Sequence, residues 1–182
     1  MLKTLVNAFK IAEIRKKLLT TLMLILIYRL GCFIPIPGVN AGYIGQMVGQ
    51  YDALGFLNLL SGGGFKNFTI FAMGISPYIT SSIIMQLLQI GIPALERMAK
   101  EEDGRKKLQE VTRYVGIGFA LVESVGIVLS LGSGAVYEAN LFTYAAIGII
   151  ATGGTAFLMW LGERITENGI GNGVSMIIFA SI

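Results

Sequence analysis

Five residues between positions 75 and 89 are the first candidates for a function. Ile75, Ile79, Ser82, Gln86 and Gln89 follow one another at intervals of 4, 3, 4 and 3, which sets them on one side of a helix. Along that face two branched aliphatics give way to a hydroxyl and then to two amides. Such a face makes and breaks no bonds. It can exclude water at one end and hold it at the other, as a pore with a dry constriction and a wet vestibule requires. The pattern leaves a second reading open, in which the glutamines lie near a membrane interface and the isoleucines are ordinary packing.

Residue types that do covalent chemistry are scarce. Histidine is absent and Cys32 is the single cysteine, so neither a zinc site of the usual kind nor an intrachain disulfide can be built. There is no HExxH run and no carboxylate pair within an apolar stretch. The glycines of Gly169-Ile170-Gly171-Asn172-Gly173 lack the GK[ST] ending of a phosphate loop. We therefore expect no catalytic residue, metal or cofactor. Two ionisable residues, Arg29 and Glu123, do fall inside apolar runs. Each would cost roughly 2.5–3.5 kcal/mol at a bilayer centre, so each should face protein or water. Their similar depth, ~15–18 Å from the basic ends of their runs, permits an Arg29–Glu123 contact. Alternatively, Arg29 snorkels outward and Glu123 bonds to hydroxyls.

The elements that must position these residues are membrane spans. The 182 residues are 54% hydrophobic and 14% charged, with a net charge of +3 and a mean hydropathy of +0.70, too apolar for a soluble domain. The expected order is a basic amphipathic lead-in over 1–17, a first span over 18–36, and a polar, glycine-rich external stretch over 38–56. A broken second element follows, with a short mobile segment at 57–73 and a regular helix at 75–92, hinged at Gly74 and Pro77. A charged loop over 93–113, a third span over 114–132, a fourth over 141–161 ending at Trp160, and a short charged loop over 162–169 come next. The final run, 170–182, is shorter than the ~20 residues a crossing needs and reads as a fifth span cut short, which predicts a piece of a longer protein. Lys and Arg gather in the lead-in, in 93–113 and at Arg164, while Lys66 stands alone on the opposite side. The positive-inside rule then puts the N-terminus in the cytoplasm.

Taken together, RLGCFIPIPGV at 29–39, SGGG at 61–64, FAMGISPYITSSIIMQLL at 71–88, GRKKLQEVTRY at 104–114 and FLMWLGERITENGIGNGVSMIIFA at 157–180 resemble the SecY family of bacterial translocon subunits. The resemblance covers nearly the whole chain and implies an all-α membrane protein, the N-terminal half of a ten-helix, pseudo-symmetric bundle that opens like a clamshell. It implies a protein-conducting channel of the bacterial cytoplasmic membrane, with no enzymatic activity of its own. Ile75, Ile79, Val174 and Ile178 would belong to the aliphatic pore ring, which favours the pore-facing reading of the stripe; valine at 174 is a modest change from the usual isoleucine. Ser61, Gly62, Gly63, Gly64, Phe65, Phe68 and Phe71 would belong to the plug. Thr80 and Ile84 would lie near the lateral gate, with Gln86 beside them in the cytoplasmic polar layer. Implied partners are SecE and SecG in the membrane, the SecA ATPase or a ribosome on the cytoplasmic face, unfolded polypeptide and signal sequences, lipid, and the C-terminal half of the same protein. Glu123 departs from the family pattern and inherits no role.

Three other classes compete. A solute transporter with a broken helix at its binding site would need ligands at mid-membrane depth, where this stripe offers isoleucines. A membrane-embedded enzyme would need the missing histidines or paired carboxylates. A purely structural half-bundle without activity is the last, and it describes this piece in isolation, because a half-channel has no closed pore.

Overall fold

The computed structural model describes residues 11–182. Residues 1–10 of the expected lead-in lie outside them. Helix α1 spans Ala12–Gly31 and takes Arg15, Lys16 and Lys17 into its first turns. It stops short of the expected end at 36. Pro35 and Pro37 hold the residues before them extended, and residues 34–36 instead pair with the 68–70 stretch: the Ile36 amide donates to the Phe68 carbonyl at 3.0 Å and the Ile70 amide to the Ile34 carbonyl at 3.0 Å. Helix from Leu18 to Gly31 supplies ~20 Å and the extended tail ~10 Å, together close to the ~30 Å of a hydrocarbon core.

Two short helices follow, α2 over Ala41–Gln50 and α3 over Asp52–Leu60. A run of tight turns over 61–75 leads into α4, Ser76–Gly91, with Pro77 in its first turn, where a missing N–H costs nothing. Ile92 precedes Pro93 and is extended (φ −116°, ψ 110°). It turns the chain through 107° into α5, Pro93–Lys100. Helix α6 covers Glu102–Leu131, α7 covers Leu141–Asn168 and α8 covers Gly173–Ser181.

The expected charged loops are thus helical. The 93–113 stretch is α5 and the first turns of α6, the third span is only the later part of α6, and 162–168 is the end of α7. Lys, Arg and Glu are strong helix formers, and Lys100–Glu96 and Arg164–Glu167 pair at helical spacing. Charge marks the end of the membrane-buried part of these helices, not the end of the helix. Helices α6 and α7 are each long and apolar enough to cross a membrane, and the bent pair α4–α5 qualifies as one broken span.

Helix α6 packs on α4, α5 and α7, and α7 packs on α1, α6 and α8. Small residues let these backbones approach. A Cβ at Gly154 would overlap the Ile70 carbonyl, and one at Gly173 would overlap the Gly162 carbonyl. Two apolar clusters result. One gathers Ile36, Ile44, Phe65, Phe68, Val128 and Ile147. The other gathers Tyr28, Phe71, Ile75, Leu158, Ile165 and Ile177.

Gly154→Val should force α7 off the 68–71 stretch and cost about 1–3 kcal/mol, read as a lower thermal midpoint of the full-length protein. Gly153→Ala faces open space and should lose nothing.

Candidate functional site

The turn-rich segment 61–75 is built from its glycines and held by its aromatics. Gly62, Gly63 and Gly74 adopt φ of 65°, 84° and 57°, values that an L side chain rarely takes. Phe68 takes φ 43° without being glycine, a strained backbone that persists where its surroundings dictate it. Here the Phe68 ring is fully buried and its carbonyl accepts the Ile36 amide. Phe65 and Phe68 fill one apolar cluster and Phe71 the other. Phe71 stacks on Tyr28 (5.9 Å between centroids) and on Phe157 (6.0 Å). Asn58 of α3 holds the turn from outside: its carbonyl accepts the Gly63 amide at 2.8 Å and its Oδ1 the Lys66 amide at 2.8 Å. The 57–73 stretch is therefore two things. Its end at Phe65–Phe71 is anchored in the cores. Helix α3 has no fully buried residue; Leu54 and Leu57 pack half-buried against the first cluster, and the helix also touches α2 and, lightly, α8.

The last residue of this segment begins the candidate pore face. Ile75 is buried, and Ile79, Val174 and Ile178 pack half-buried against the same cluster. Two segments a hundred residues apart in sequence thus present one aliphatic surface. Farther along α4 the surroundings become polar. Ser82, Gln86 and Gln89 line a groove of about 320 Å³ with Arg105 and Gln109 of α6. Gln86 Nε2 donates to Ser82 Oγ at 3.4 Å. Between the dry and wet zones a second groove of about 300 Å³ carries Tyr78, Thr166, Asn172 and the Arg113–Glu163 ion pair. The stripe therefore runs from dry to wet. Thr80 and Gln86 are exposed and Ile84 is half-exposed, so these three sit on faces that the described chain does not close.

The Arg29–Glu123 pair does not form. Arg29 Nη1 donates to the Gly62 carbonyl at 3.3 Å, and no ion pair joins the two residues among the described residues. Helices α1 and α6 each pack on α7, so equal depth did not bring the side chains together. Three contacts had no sequence signal. Tyr28 Oη and Ser181 Oγ, both buried, lie 2.7 Å apart and join α1 to α8. The Arg113–Glu163 pair joins α6 to α7, though Arg113 read as a loop residue. Asn58 was a lone amide in an apolar run.

A family model described as SecY matches residues 69–182. The chain belongs to the SecY family. Protein translocase subunit SecY of Staphylococcus carnosus is 47% identical over 188 residues, covering all of this chain and 44% of the relative. The SecY of Halalkalibacterium halodurans is 45% identical over 187 residues, covering all of this chain and 43% of the relative. The chain thus spans less than half the length of these curated relatives. Its fold is similar to that of Sec61 in the canine ribosome–channel complex from the endoplasmic reticulum, with a TM-score of 0.64 and 22% identity over 92% of this chain and 36% of that one. With its long apolar helices, this SecY-family chain is a multi-pass membrane protein.

Tyr28→Phe should remove the α1–α8 hydrogen bond and cost ~1 kcal/mol, again read as a fall in thermal midpoint. Because the two hydroxyls act as a pair, Tyr28→Phe combined with Ser181→Ala should cost less than the sum of the single changes.

Proposed function

We propose that this chain is the first part of the central subunit of a protein-conducting channel in the bacterial cytoplasmic membrane. The full protein would pass unfolded secretory polypeptides across and release membrane segments sideways into lipid. The observation that carries this reading is the meeting of Ile75 and Ile79 with Val174 and Ile178 on one apolar surface, followed along α4 by a polar groove. Branched aliphatics seal by excluding water and make no directional bonds, so the same ring can yield to any translocating side chain. The C-terminal half of the protein would complete the ring. Thr80, Ile84 and Gln86, on the open side of α4, fit the lateral gate, and Gly74 and Pro77 fit a hinge between plug and span.

The plug reading needs a refinement. Ser61, Gly62, Gly63 and Gly64 suit the moving boundary, and α3 suits the displaceable body, because none of its residues is fully buried and only Leu54 and Leu57 pack, half-buried, against the first cluster. Phe65, Phe68 and Phe71 suit the fixed anchor, since moving them would open both cores. The channel holds no motor. Energy would come from the SecA ATPase or a ribosome docked on the charged surface of α5 and the start of α6, with SecE and SecG as membrane partners. A ribosome is named in the complex of the solved structure described above. The distribution of Lys and Arg supports a cytoplasmic N-terminus.

The test uses the full-length protein with its membrane partners in liposomes. Serine at Ile75, Ile79, Val174 and Ile178 should raise resting ion conductance severalfold while signal-dependent transport persists with loosened specificity. Unchanged leak and unchanged transport would assign the four residues to packing. A disulfide between cysteines introduced into α3 and α8 should block transport, and reduction should restore it.

A further inference from the structure

We infer that Arg29 is a positioning residue of the resting channel: from α1 it holds the C-terminal end of α3, and with it the Ser61–Gly62 boundary, in a seat formed by α1 and α8. This rests on the reading of α3 as the displaceable part of the plug and names what keeps it in place.

An arginine inside an apolar run needs a partner for its charge. Among the described residues no carboxylate forms an ion pair with Arg29. Its Nη1 donates instead to the Gly62 carbonyl at 3.3 Å. Helix α3 ends at Leu60, so Ser61 and Gly62 directly follow its last turn. Carbonyls at a helix C-terminus carry the negative end of the summed peptide dipoles, and a cation is favoured beside them. A second group of α1 reaches the same place, for Cys32 Sγ donates to the Ser61 carbonyl at 3.7 Å. Two successive carbonyls of the boundary are thus held from one face of one helix, by residues a turn apart.

Shape completes the catch. Gly62 is pressed against its seat: a Cβ there would stand 2.7 Å from Tyr28 Oη, 3.3 Å from Arg29 Nη1 and 3.5 Å from Ser181 Cα. The hydrogen-bonded Tyr28–Ser181 pair is therefore the floor on which Gly62 rests. Gly63 also has a positive φ, yet a Cβ on it would meet nothing. Of the two glycines, only Gly62 is fitted to a surface. Ser181 follows Val174 and Ile178 at intervals of seven and three residues, on the same side of α8. A shift of the candidate pore face would carry this floor away from Gly62. The apolar contacts of α3 are light, through the half-buried Leu54 and Leu57, so the polar contacts at its C-terminal end set where it rests.

The test uses the full-length protein with its membrane partners in liposomes and reads resting ion conductance. Arg29→Leu should raise it severalfold, and Arg29→Lys, which keeps a cationic donor at the end of α3, should restore most of the seal. Gly62→Ala should leak more than Gly63→Ala, which bears the same left-handed backbone strain without touching the seat. The deciding arm adds a disulfide between cysteines introduced into α3 and α8, which should abolish the extra leak of Arg29→Leu. Leak that persists with α3 locked would overturn the proposal, as would a tight Arg29→Leu channel or equal leak from the two alanine variants. The same disulfide in the protein with Arg29 intact separates the catch from the plug. If transport continues through the locked channel, α3 is not the moving part, and the plug reading fails with the catch. If locking blocks transport while Arg29→Leu stays tight, the catch alone fails.

Discussion

A stretch of non-helical backbone at membrane depth must find partners for its own N–H and C=O groups, because the hydrocarbon offers none. Residues 61–75 form such a stretch, and the rest of the structure depends on how they meet that demand. Part of the answer is local: the Thr69 amide bonds to the Gly64 carbonyl and the Gly74 amide to the Phe71 carbonyl. Part is the short pairing with residues 34–36, which is why α1 ends early and why the prolines stand where they do. The remainder is shielding by α7, whose Gly154 lets its backbone lie against Ile70.

That solution orients the candidate pore face. With Phe65 and Phe68 fixed in one cluster and Phe71 in the other, Ile75 emerges from the segment in a single orientation, and α4 continues from it with Ile79 on the same side. Val174 and Ile178 reach the same place from α8. The start of α8 is tied at both ends: the Thr166 hydroxyl accepts the Gly173 amide at 2.8 Å, and the Thr21 hydroxyl of α1 accepts the Ile170 amide at 3.0 Å. This aliphatic surface is thus referenced to α1 and α7 through hydroxyls at helix ends. A few such bonds set the direction of whole helices while leaving the aliphatic surface free of directional contacts.

Light and firm packing are divided along one short segment. Helix α3 rests on the core only through the half-buried Leu54 and Leu57. The phenylalanines that follow it are buried in both clusters. A glycine pair at 62–63 separates the two, and Arg29 and Asn58 touch that boundary from either side. A solute transporter would place ligating groups at this depth; here the depth is filled by aromatic and aliphatic packing.

The sequence alone determined the membrane class, the order of apolar segments and the break at Ser61–Gly64, and it offered the dry-to-wet face of α4 as one of two readings. Each of these is a local or periodic property, readable from composition, glycine and proline placement, and spacing. It misjudged the ends of α1, α6 and α7, because hydropathy reports where the membrane-buried part of a helix stops, and charged residues carry the helix onward. It left the Arg29–Glu123 pair open, because equal depth says nothing about which helix comes between. The Tyr28–Ser181 and Arg113–Glu163 contacts and the division of the 57–73 segment into a lightly packed helix and a buried anchor were decided only by tertiary structure. All of them depend on which faces of distant helices meet, and that is settled by close packing of small residues and by backbone hydrogen bonding across the whole bundle.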